Sequence, residues 1–236
     1  ATFSSWPSGG GLVHSTAMVH PTAVIEPGAV IMADAQVGEG AVVGATSVVG
    51  RGVVLGSGTT LAFGVKLMHC AVGDNCMLHS GVCIGADGFG FTISASGQVV
   101  KKPQLLAARI GDDVEIGANS CIDRGSWRDT LVGSHTKLDN MVQIGHNAHV
   151  GEACILCAHV ALGGSSTLGD RVVMGGKSAV KDHTAVCSDV RIAAKAGVIK
   201  PITVPGDYAG YPAMPAAQWR RLVVGLRGTA RQSSKP

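Results

Sequence analysis

An aliphatic side chain recurs at every sixth position along most of this 236-residue chain. The series runs from Val13 to Leu67 and, after two interruptions, from Val132 to Val204. A six-residue period fits neither the 3.6 residues of a helical turn nor the simple alternation of an extended strand. Short strands joined by corners have this period, which is typical of a parallel β-helix. Three hexads then make one triangular coil of about 18 residues, and successive coils stack about 4.8 Å apart.

The composition agrees with a β-helix and excludes several other classes of protein. Glycine inside a helix costs about 1 kcal/mol relative to alanine, so 34 glycines disfavour an ordinary helical domain. With 46% apolar residues the chain is not intrinsically disordered, yet no apolar run approaches the length of a membrane-spanning helix. A net charge of +3 is too small to indicate nucleic acid or an anionic membrane as partner. The seven cysteines form no compact disulfide framework, which favours a reducing compartment.

Breaks in the hexad pattern divide the chain into three parts. Residues 1–12 form an uncharged leader, rich in serine and glycine, that lacks the basic and apolar regions of a secretory signal. Residues 13–204 form the predicted β-helix, from which residues 85–109 extrude as a long loop. Residues 205–236 form an extension in which Pro215 to Gly228 predict a short helix. The extension is basic and carries no acid from Gln218 onward.

Two histidines and one aspartate of the coils have spacings that indicate general-base chemistry. Asp139 and His146 lie seven residues apart, about one side of the prism, so a carboxylate could orient an imidazole. His183 lies 37 residues beyond His146, which is two coils plus one residue, so both imidazoles should face the same edge of the prism. For any single histidine of the nine, a structural or solvent-facing role is the alternative, and spacing alone does not exclude it.

Metal and cysteine chemistry receive little support from the sequence. Cys154 and Cys157 form a CxxC pair with no second pair, and strand alternation would point them to opposite faces. Carbonic anhydrases on the hexapeptide scaffold use zinc-binding histidines, two of them five residues apart, and no pair here has that separation. No matched Cys–His motif suggests a cysteine nucleophile. We therefore expect neither a metal nor another cofactor.

Several short motifs, in this order and register, resemble the UDP-3-O-acylglucosamine N-acyltransferase family of lipid A biosynthesis. The resemblance runs from about His14 to Trp219 and includes the extruded loop. It implies a left-handed parallel β-helix, although parallel crossovers are normally right-handed. It also implies a homotrimer with active clefts between subunits and an acyl carrier protein thioester as donor. The motifs are GADGFGF (85–91), KKPQ (101–104), IGDDVEIGAN (110–119), CIDRG (121–125), KLDN (137–140), QIGHN (143–147) and PITVPGDYAGYP (201–212).

The resemblance assigns roles to individual residues. His146 matches the catalytic base, Asp139 its orienting acid and His183 the second active-site histidine. Gly164 matches the position whose backbone N–H contacts the oxyanion. Bacterial members also carry an amino-terminal domain that helps to hold uridine, whereas this chain starts almost at the coils. The basic extension should steer the acidic carrier protein through Arg220, Arg221, Arg227 and Arg231.

The sequence thus predicts an N-acyltransferase that moves a (3-hydroxy)acyl chain from acyl carrier protein to the 2-amine of UDP-3-O-acylglucosamine. Two alternatives remain open: a coenzyme A-dependent acetyltransferase of small molecules, and a non-catalytic trimeric scaffold. Turnover of acetyl-coenzyme A without a carrier protein would favour the first alternative. We expect a mitochondrial protein if the source is a plant and a cytoplasmic one if it is bacterial.

Overall fold

A computed structural model describes residues 2–210, 221–222 and 224–225 of the chain. The amino-terminal strands are β1 Phe3–Ser5, β2 Leu12–His14, β3 Met18–Val19, β4 Val24–Ile25, β5 Val30–Ile31, β6 Gln36–Val37, β7 Val42–Val43, β8 Val48–Val49, β9 Val54–Leu55, β10 Thr60–Leu61 and β11 Lys66–Leu67. The strands of the middle part are β12 Cys70–Val72, β13 Met77–Leu78, β14 Cys83–Ala86, β15 Phe91–Ile93, β16 Val99–Lys101, β17 Ala108–Ile110, β18 Glu115–Ile116, β19 Cys121–Asp123, β20 Thr130–Val132 and β21 Lys137–Leu138. The carboxy-terminal strands are β22 Gln143–Ile144, β23 His149–Val150, β24 Ile155–Leu156, β25 Ala161–Leu162, β26 Thr167–Leu168, β27 Val173–Met174, β28 Ala179–Val180, β29 Ala185–Val186, β30 Val190–Ile192, β31 Gly197–Val198 and β32 Gly206–Tyr208.

These strands form the three sides of a left-handed parallel β-helix, as predicted. The chain visits the sides in turn, and we call them sheets A, B and C in the order of visiting. Sheet A runs β1-β2-β5-β8-β11-β14-β19-β22-β25-β28-β31, sheet B contains β3 to β29, and sheet C contains β4 to β32. Neighbouring strands pair in parallel and in register, so Ile144 lies against Leu162 and Leu162 against Val180. Each carboxy-terminal coil therefore repeats after 18 residues.

The aliphatic residue of each hexad points into the prism. Ile144, Leu156 and Leu162 are each 2% exposed or less, whereas the strand residue before each of them faces outward. Burying one such side chain contributes roughly 1.5–3 kcal/mol before the entropy of ordering the chain is subtracted. Small residues that follow the corners complete the core, and the hydroxyl of Ser47 satisfies two backbone groups there, those of Ala62 and Val65. The six-residue repeat of the sequence therefore marks the side chains that are buried inside the prism.

The corners between sheets place one residue of each turn in the left-handed region of φ. Glycine fills this position in many early coils, but the later coils use Asn147, Ser165 and His183, with φ values of 59°, 61° and 54°. Such a conformation costs a side-chain-bearing residue roughly 1–2 kcal/mol, so neighbouring coils must stabilise it. Ser165 and His183 do receive this support, because their N–H groups bond to the carbonyl oxygens of His146 and Gly164.

Irregular segments leave the prism mainly at the corner between sheets A and B. The predicted loop begins within β14 and ends within β17, and it carries the antiparallel hairpin β15–β16. A shorter segment, residues 124–129, leaves the same corner one coil later. Stacking of the coils places both segments beside the corner that bears His146.

The two ends of the chain add to the coils. Within the predicted leader, β1 pairs in an antiparallel manner with β2, and the Trp6 indole Nε1 donates to the carbonyl of Ala23 at 2.9 Å. At the other end, β32 continues sheet C beyond residue 204 by pairing with β30. Residues 221–222 and 224–225 are helical, while the rest of the predicted helix lies outside the described residues. Within the part of the chain that the structure describes, no helix is long and apolar enough to cross a membrane.

Candidate functional site

Two columns of residues stand side by side at the corner between sheets A and B. His146, Gly164 and Asp182 occupy one column, at intervals of one coil. Asn147 and His183 belong to the other column. The interval of 37 residues between the two histidines therefore places them on the same corner, two coils apart. The sequence predicted that His146 and His183 face the same edge of the prism, and the structure has both at this corner.

This corner forms one wall of a cleft of about 740 Å³. The extruded loop forms the opposite wall with Phe89, Phe91 and Lys102, and Trp127 of the shorter segment lies at the side. Phe89 is 85% exposed and Trp127 is 63% exposed. The β-helix thus supplies one wall of the cleft, and the loop supplies the opposite wall with its aromatic side chains.

The His146 side chain lies between the backbones of two glycines. A Cβ atom added to Gly88 of the extruded loop would lie 2.4 Å from the His146 Cβ and 2.8 Å from its Nδ1. A Cβ added to Gly164 would lie 2.5 Å from Cε1 and 2.8 Å from Nε2 of the same ring. Any side chain at either position would displace the imidazole. The GADGFGF motif thus contributes a glycine that the sequence did not single out for the site.

The cleft lowers the pKa of His146. Partial burial is the main cause, and the positive charges of His183 and Lys102 act in the same direction. Each of these effects penalises the imidazolium form. The ring is therefore neutral, and able to accept a proton, down to a lower pH than an ordinary histidine.

The Gly164 N–H is available at the same place. Its neighbours in the turn are bonded within the β-helix, since Gly163 N–H donates to Val180 and Ser165 N–H donates to His146. Among the described residues no acceptor receives the N–H of Gly164. A fixed N–H beside an imidazole is the arrangement that stabilises an oxyanion next to a general base.

Asp139 does not reach His146 within one chain. It lies at the corner between sheets C and A, so the width of sheet A separates it from the corner that bears His146. Its carboxylate accepts the N–H groups of Asn140 at 2.7 Å and Ala158 at 3.0 Å. Asp139 lines a second cleft of about 550 Å³ together with His79 and Glu115. Within one chain His146 therefore has no contact with the predicted orienting acid.

The shorter segment is held against the cleft by Asn147, which sequence reasoning did not assign to the site. The Oδ1 of the buried Asn147 side chain accepts a hydrogen bond from the N–H of Ser126 at 2.7 Å, and the backbone carbonyl of Asn147 accepts one from Arg128 Nε at 2.8 Å. Arg128 also lies over the Trp127 ring, 4.8 Å from the centroid. The sequence signal for this role is an asparagine directly after His146, since asparagine is one of the few residues that readily take the positive φ found at this corner.

Cys154 and Cys157 flank strand β24 of sheet C, in the same coil as His146 but on another side of the prism, and Cys157 lines the cleft of Asp139. Cys154 is buried, its Sγ donates to the carbonyl of Gly169 at 3.2 Å, and burial raises the pKa of its thiol. Within residues 2–210, 221–222 and 224–225, no group of three or more histidine, cysteine or acidic side chains is arranged to hold a metal ion. Of the four arginines predicted to dock the carrier protein, Arg221 is exposed and the other three, at 220, 227 and 231, lie outside the described residues.

Comparison with known proteins agrees with the hexads and with the predicted resemblance. Residues 16–51 match the family described as bacterial transferase hexapeptide (six repeats). The probable UDP-3-O-acylglucosamine N-acyltransferase 2, mitochondrial, of Arabidopsis thaliana is 53% identical over 160 residues, which are 68% of this chain and 53% of that protein. The UDP-3-O-acylglucosamine N-acyltransferase of Methylobacterium sp. (strain 4-46) is 42% identical over 171 residues, 72% of this chain and 48% of that protein. The chain thus spans about half the length of the curated relatives it matches.

Solved structures share the fold at lower identity. LpxA from Acinetobacter baumannii superposes with a TM-score of 0.64 at 24% identity, covering 89% of this chain and 76% of the other. The UDP-N-acetylglucosamine acyltransferase of Arabidopsis gives 0.58 at 22% identity, with the same two coverages. The predicted resemblance to UDP-3-O-acylglucosamine N-acyltransferases is confirmed by the curated relatives, and the β-helix is confirmed by the structures.

The contact between Gly88 and His146 can be tested without any assay of activity. We expect Gly88→Ala to push the imidazole toward solvent and to raise its pKa toward the ordinary value, because burial is the main cause of the depression. Histidine titration by NMR measures this pKa. Gly197→Ala is the matched control, since a Cβ there meets nothing within 4 Å. An unchanged His146 titration in a folded Gly88→Ala protein would contradict the arrangement.

Proposed function

We propose that this chain carries the acyl-transfer site of a UDP-3-O-acylglucosamine N-acyltransferase of lipid A biosynthesis. The observation that carries this proposal is a neutral His146 held between Gly88 and Gly164, beside the Gly164 N–H that has no acceptor among the described residues. The arrangement supplies a base and an oxyanion donor at one point of a cleft. The relative of this name from Arabidopsis, 53% identical, supports the same reaction class.

The transfer proceeds in one addition and one elimination. An imidazole nitrogen of His146 takes a proton from the 2-amine as the amine nitrogen attacks the carbonyl carbon of the acyl thioester. The carbonyl oxygen becomes an oxyanion and accepts a hydrogen bond from the Gly164 N–H. When the carbonyl re-forms, the C–S bond breaks, and the sulfur leaves with the proton that His146 received. The products are an amide and a free thiol, and no covalent acyl-enzyme forms.

His183 has two tasks in this proposal. It lies in the same cleft as His146, where it adds to the effect of burial, the main cause that lowers the pKa of the His146 ring. It is exposed, so its imidazole is free to bind substrate in the cleft. Its corner position, with φ of 54°, is fixed by the hydrogen bond from its N–H to Gly164.

The orienting acid comes from a second subunit. Because sheet A separates Asp139 from His146 in one chain, an Asp139 that contacts the imidazole belongs to a neighbouring copy. A homotrimer arranges this contact three times by apposing the cleft of one subunit to the Asp139 groove of the next. Each active site is then shared between two subunits.

The donor in this proposal is the thioester of an acyl carrier protein. Arg221 is exposed and lies in the basic extension, where positive charge would attract an acidic carrier. We assign Arg220, Arg227 and Arg231 to the same docking surface from their place in the sequence. The mitochondrial name of the Arabidopsis relative supports a mitochondrial location for this protein.

The reaction is tested by incubating the protein with an acyl carrier protein thioester and UDP-3-O-acylglucosamine, with mass detection of the amide. We expect product from the wild type and a loss of about 10²–10⁴ in kcat for His146→Ala, the usual contribution of a positioned base. The melting temperature of the variant should stay close to wild type, since the ring lies in a cleft rather than in the core. Transfer from acetyl-coenzyme A alone would favour the coenzyme A-dependent alternative, and no transfer would favour the scaffold.

Mixed trimers test whether the site is shared. We expect Asp139→Asn and His146→Ala, each impaired alone, to regain activity when co-expressed with different tags and purified together. If Asp139 acts on a neighbouring subunit, about one third of the sites in trimers that contain both variants have both residues intact. An equimolar mixture of the two separately purified trimers is the control. Mixed trimers no more active than this control would show that the two residues act within one subunit, or that Asp139 does not act on His146.

The pH dependence of the reaction follows from the pKa of His146. Its depression leaves the base neutral at pH values where an ordinary histidine is already charged. We therefore expect kcat/KM to begin its acid fall below the ordinary histidine pKa of about 6.5. Removing the positive charge of Lys102 with Lys102→Met should move this limb to higher pH. A limb that moves to lower pH in Lys102→Met would contradict the assignment of the base.

A further inference from the structure

Asp123 is a carboxylate of the cleft for which neither the coils nor the proposed mechanism has a use. It ends strand β19 of sheet A, at the point where the ladder with β14 shifts register opposite Ala86. Its carboxylate lines the same cleft as His146 and His183. In the sequence, Asp123 was noted only as a member of the CIDRG motif, without a role of its own.

The surroundings of Asp123 do not neutralise its charge. Gln143 Nε2 donates to its Oδ1 at 3.2 Å, and no ion pair of the described residues includes it. Burial raises its pKa to about 6, an effect that Gln143 and the His146 backbone N–H only partly offset and that the charge of Asp87 reinforces. A half-buried carboxylate without a cation is unfavourable unless a ligand brings one.

A second group of the cleft also lacks a donor. The Gln104 side chain lines the cleft and is only 4% exposed. Its Nε2 donates to the carbonyl of Lys102 at 3.2 Å, but its Oε1 has no hydrogen-bond partner among the described residues. A buried acceptor left unpaired costs about 1–3 kcal/mol, so a donor from the ligand would stabilise it.

The charges of the cleft agree with these two observations. Its described lining contains three carboxylates, Asp87, Asp123 and Asp182, against Lys102 and the imidazoles of His146 and His183. Asp87 is already paired with Lys101 of the loop. The unmet demand is therefore for a cation that carries several N–H donors, placed near Asp123.

We propose that Asp123 binds the 2-ammonium group of the acceptor amino sugar and, with Gln104, selects this amine before transfer. The assignment rests on the proposed function, because it takes UDP-3-O-acylglucosamine as the acceptor. The ammonium is the resting form of the acceptor. It releases one proton to water, and His146 takes the second proton as the neutral amine attacks the thioester. After transfer the nitrogen is an amide, neutral and with one N–H, so Asp123 holds the product less well than the substrate. One carboxylate thus favours binding of the acceptor and release of the product.

Equilibrium binding of two ligands tests the proposal. Calorimetry gives the Kd of UDP-3-O-acylglucosamine and of its N-acylated product for the wild type, Asp123→Asn and Asp87→Asn. We expect Asp123→Asn to raise the Kd of the amine at least about tenfold, since one partner of a charged hydrogen-bonded pair is removed. The Kd of the product should stay within about twofold, which also shows that the variant is folded. Asp87→Asn makes the same charge change in the same cleft, but its carboxylate is already paired, so it should leave the ratio of the two Kd values near wild type.

The outcomes separate the two proposals. An equal loss of both ligands in Asp123→Asn would mean that Asp123 only shapes the cleft, and an unchanged Kd for the amine would mean that it does not bind the substrate. Either result overturns this assignment while transfer by the wild type upholds the proposed function. A wild type that binds neither ligand and transfers no acyl group overturns both. Asp123→Ser, which also lacks the charge, is measured alongside in case the asparagine variant does not fold, and it must show the same selective loss.

Discussion

The parallel ladder between coils is the constraint on which the rest of the structure depends. Each strand donates and accepts backbone hydrogen bonds with the strands one coil before and one coil after, in register. An unpaired backbone group in the wall would be costly, so the wall tolerates extra residues only at corners. All long departures from the coil between β14 and β20 obey this rule and leave from the corner between sheets A and B. The cleft exists because the insertions and the histidine corner are forced to the same edge.

Close stacking of the coils explains how a side chain as large as imidazole is held without burial in a core. Corners of successive coils approach so closely that Gly164 has no room for a Cβ beside His146, and the loop backbone at Gly88 approaches from the other side. Two backbones fix the ring plane, and the same approach removes water from part of the ring and lowers its pKa. The position of the His146 ring and its lowered pKa therefore have one cause, the tight spacing imposed by the ladder.

The arithmetic of the hexad explains which parts of the site were predictable. Once the coil length was known, the interval of 37 residues placed His146 and His183 on one corner, and the structure has them in one cleft. The same arithmetic placed Asp139 one side of the prism away from His146, and in the structure that side is the full width of sheet A. Asp123 could not be found in this way, because Ile122 pairs with Ile144, 22 positions on, whereas Ile144 pairs with Leu162, 18 positions on. Residues inserted between the coil of Ile122 and the coil of Ile144 therefore interrupt the 18-residue repeat next to Asp123.

The contacts with Gly88 were unpredictable for a different reason. Within loop residues 87–107 the hairpin β15–β16 pairs only with itself and not with the strands of the coils, so the sequence gives the loop no position relative to the coils. The loop is nevertheless anchored at both ends, in β14 and β17, and Asn147 holds the neighbouring segment through Ser126. Such anchoring means that the acidic side of the cleft, including Asp123, is built on the same rigid wall as His146. If an amine binds there as we propose, the His146 imidazole is already in place, and such preorganisation reduces the cost of reaching the transition state.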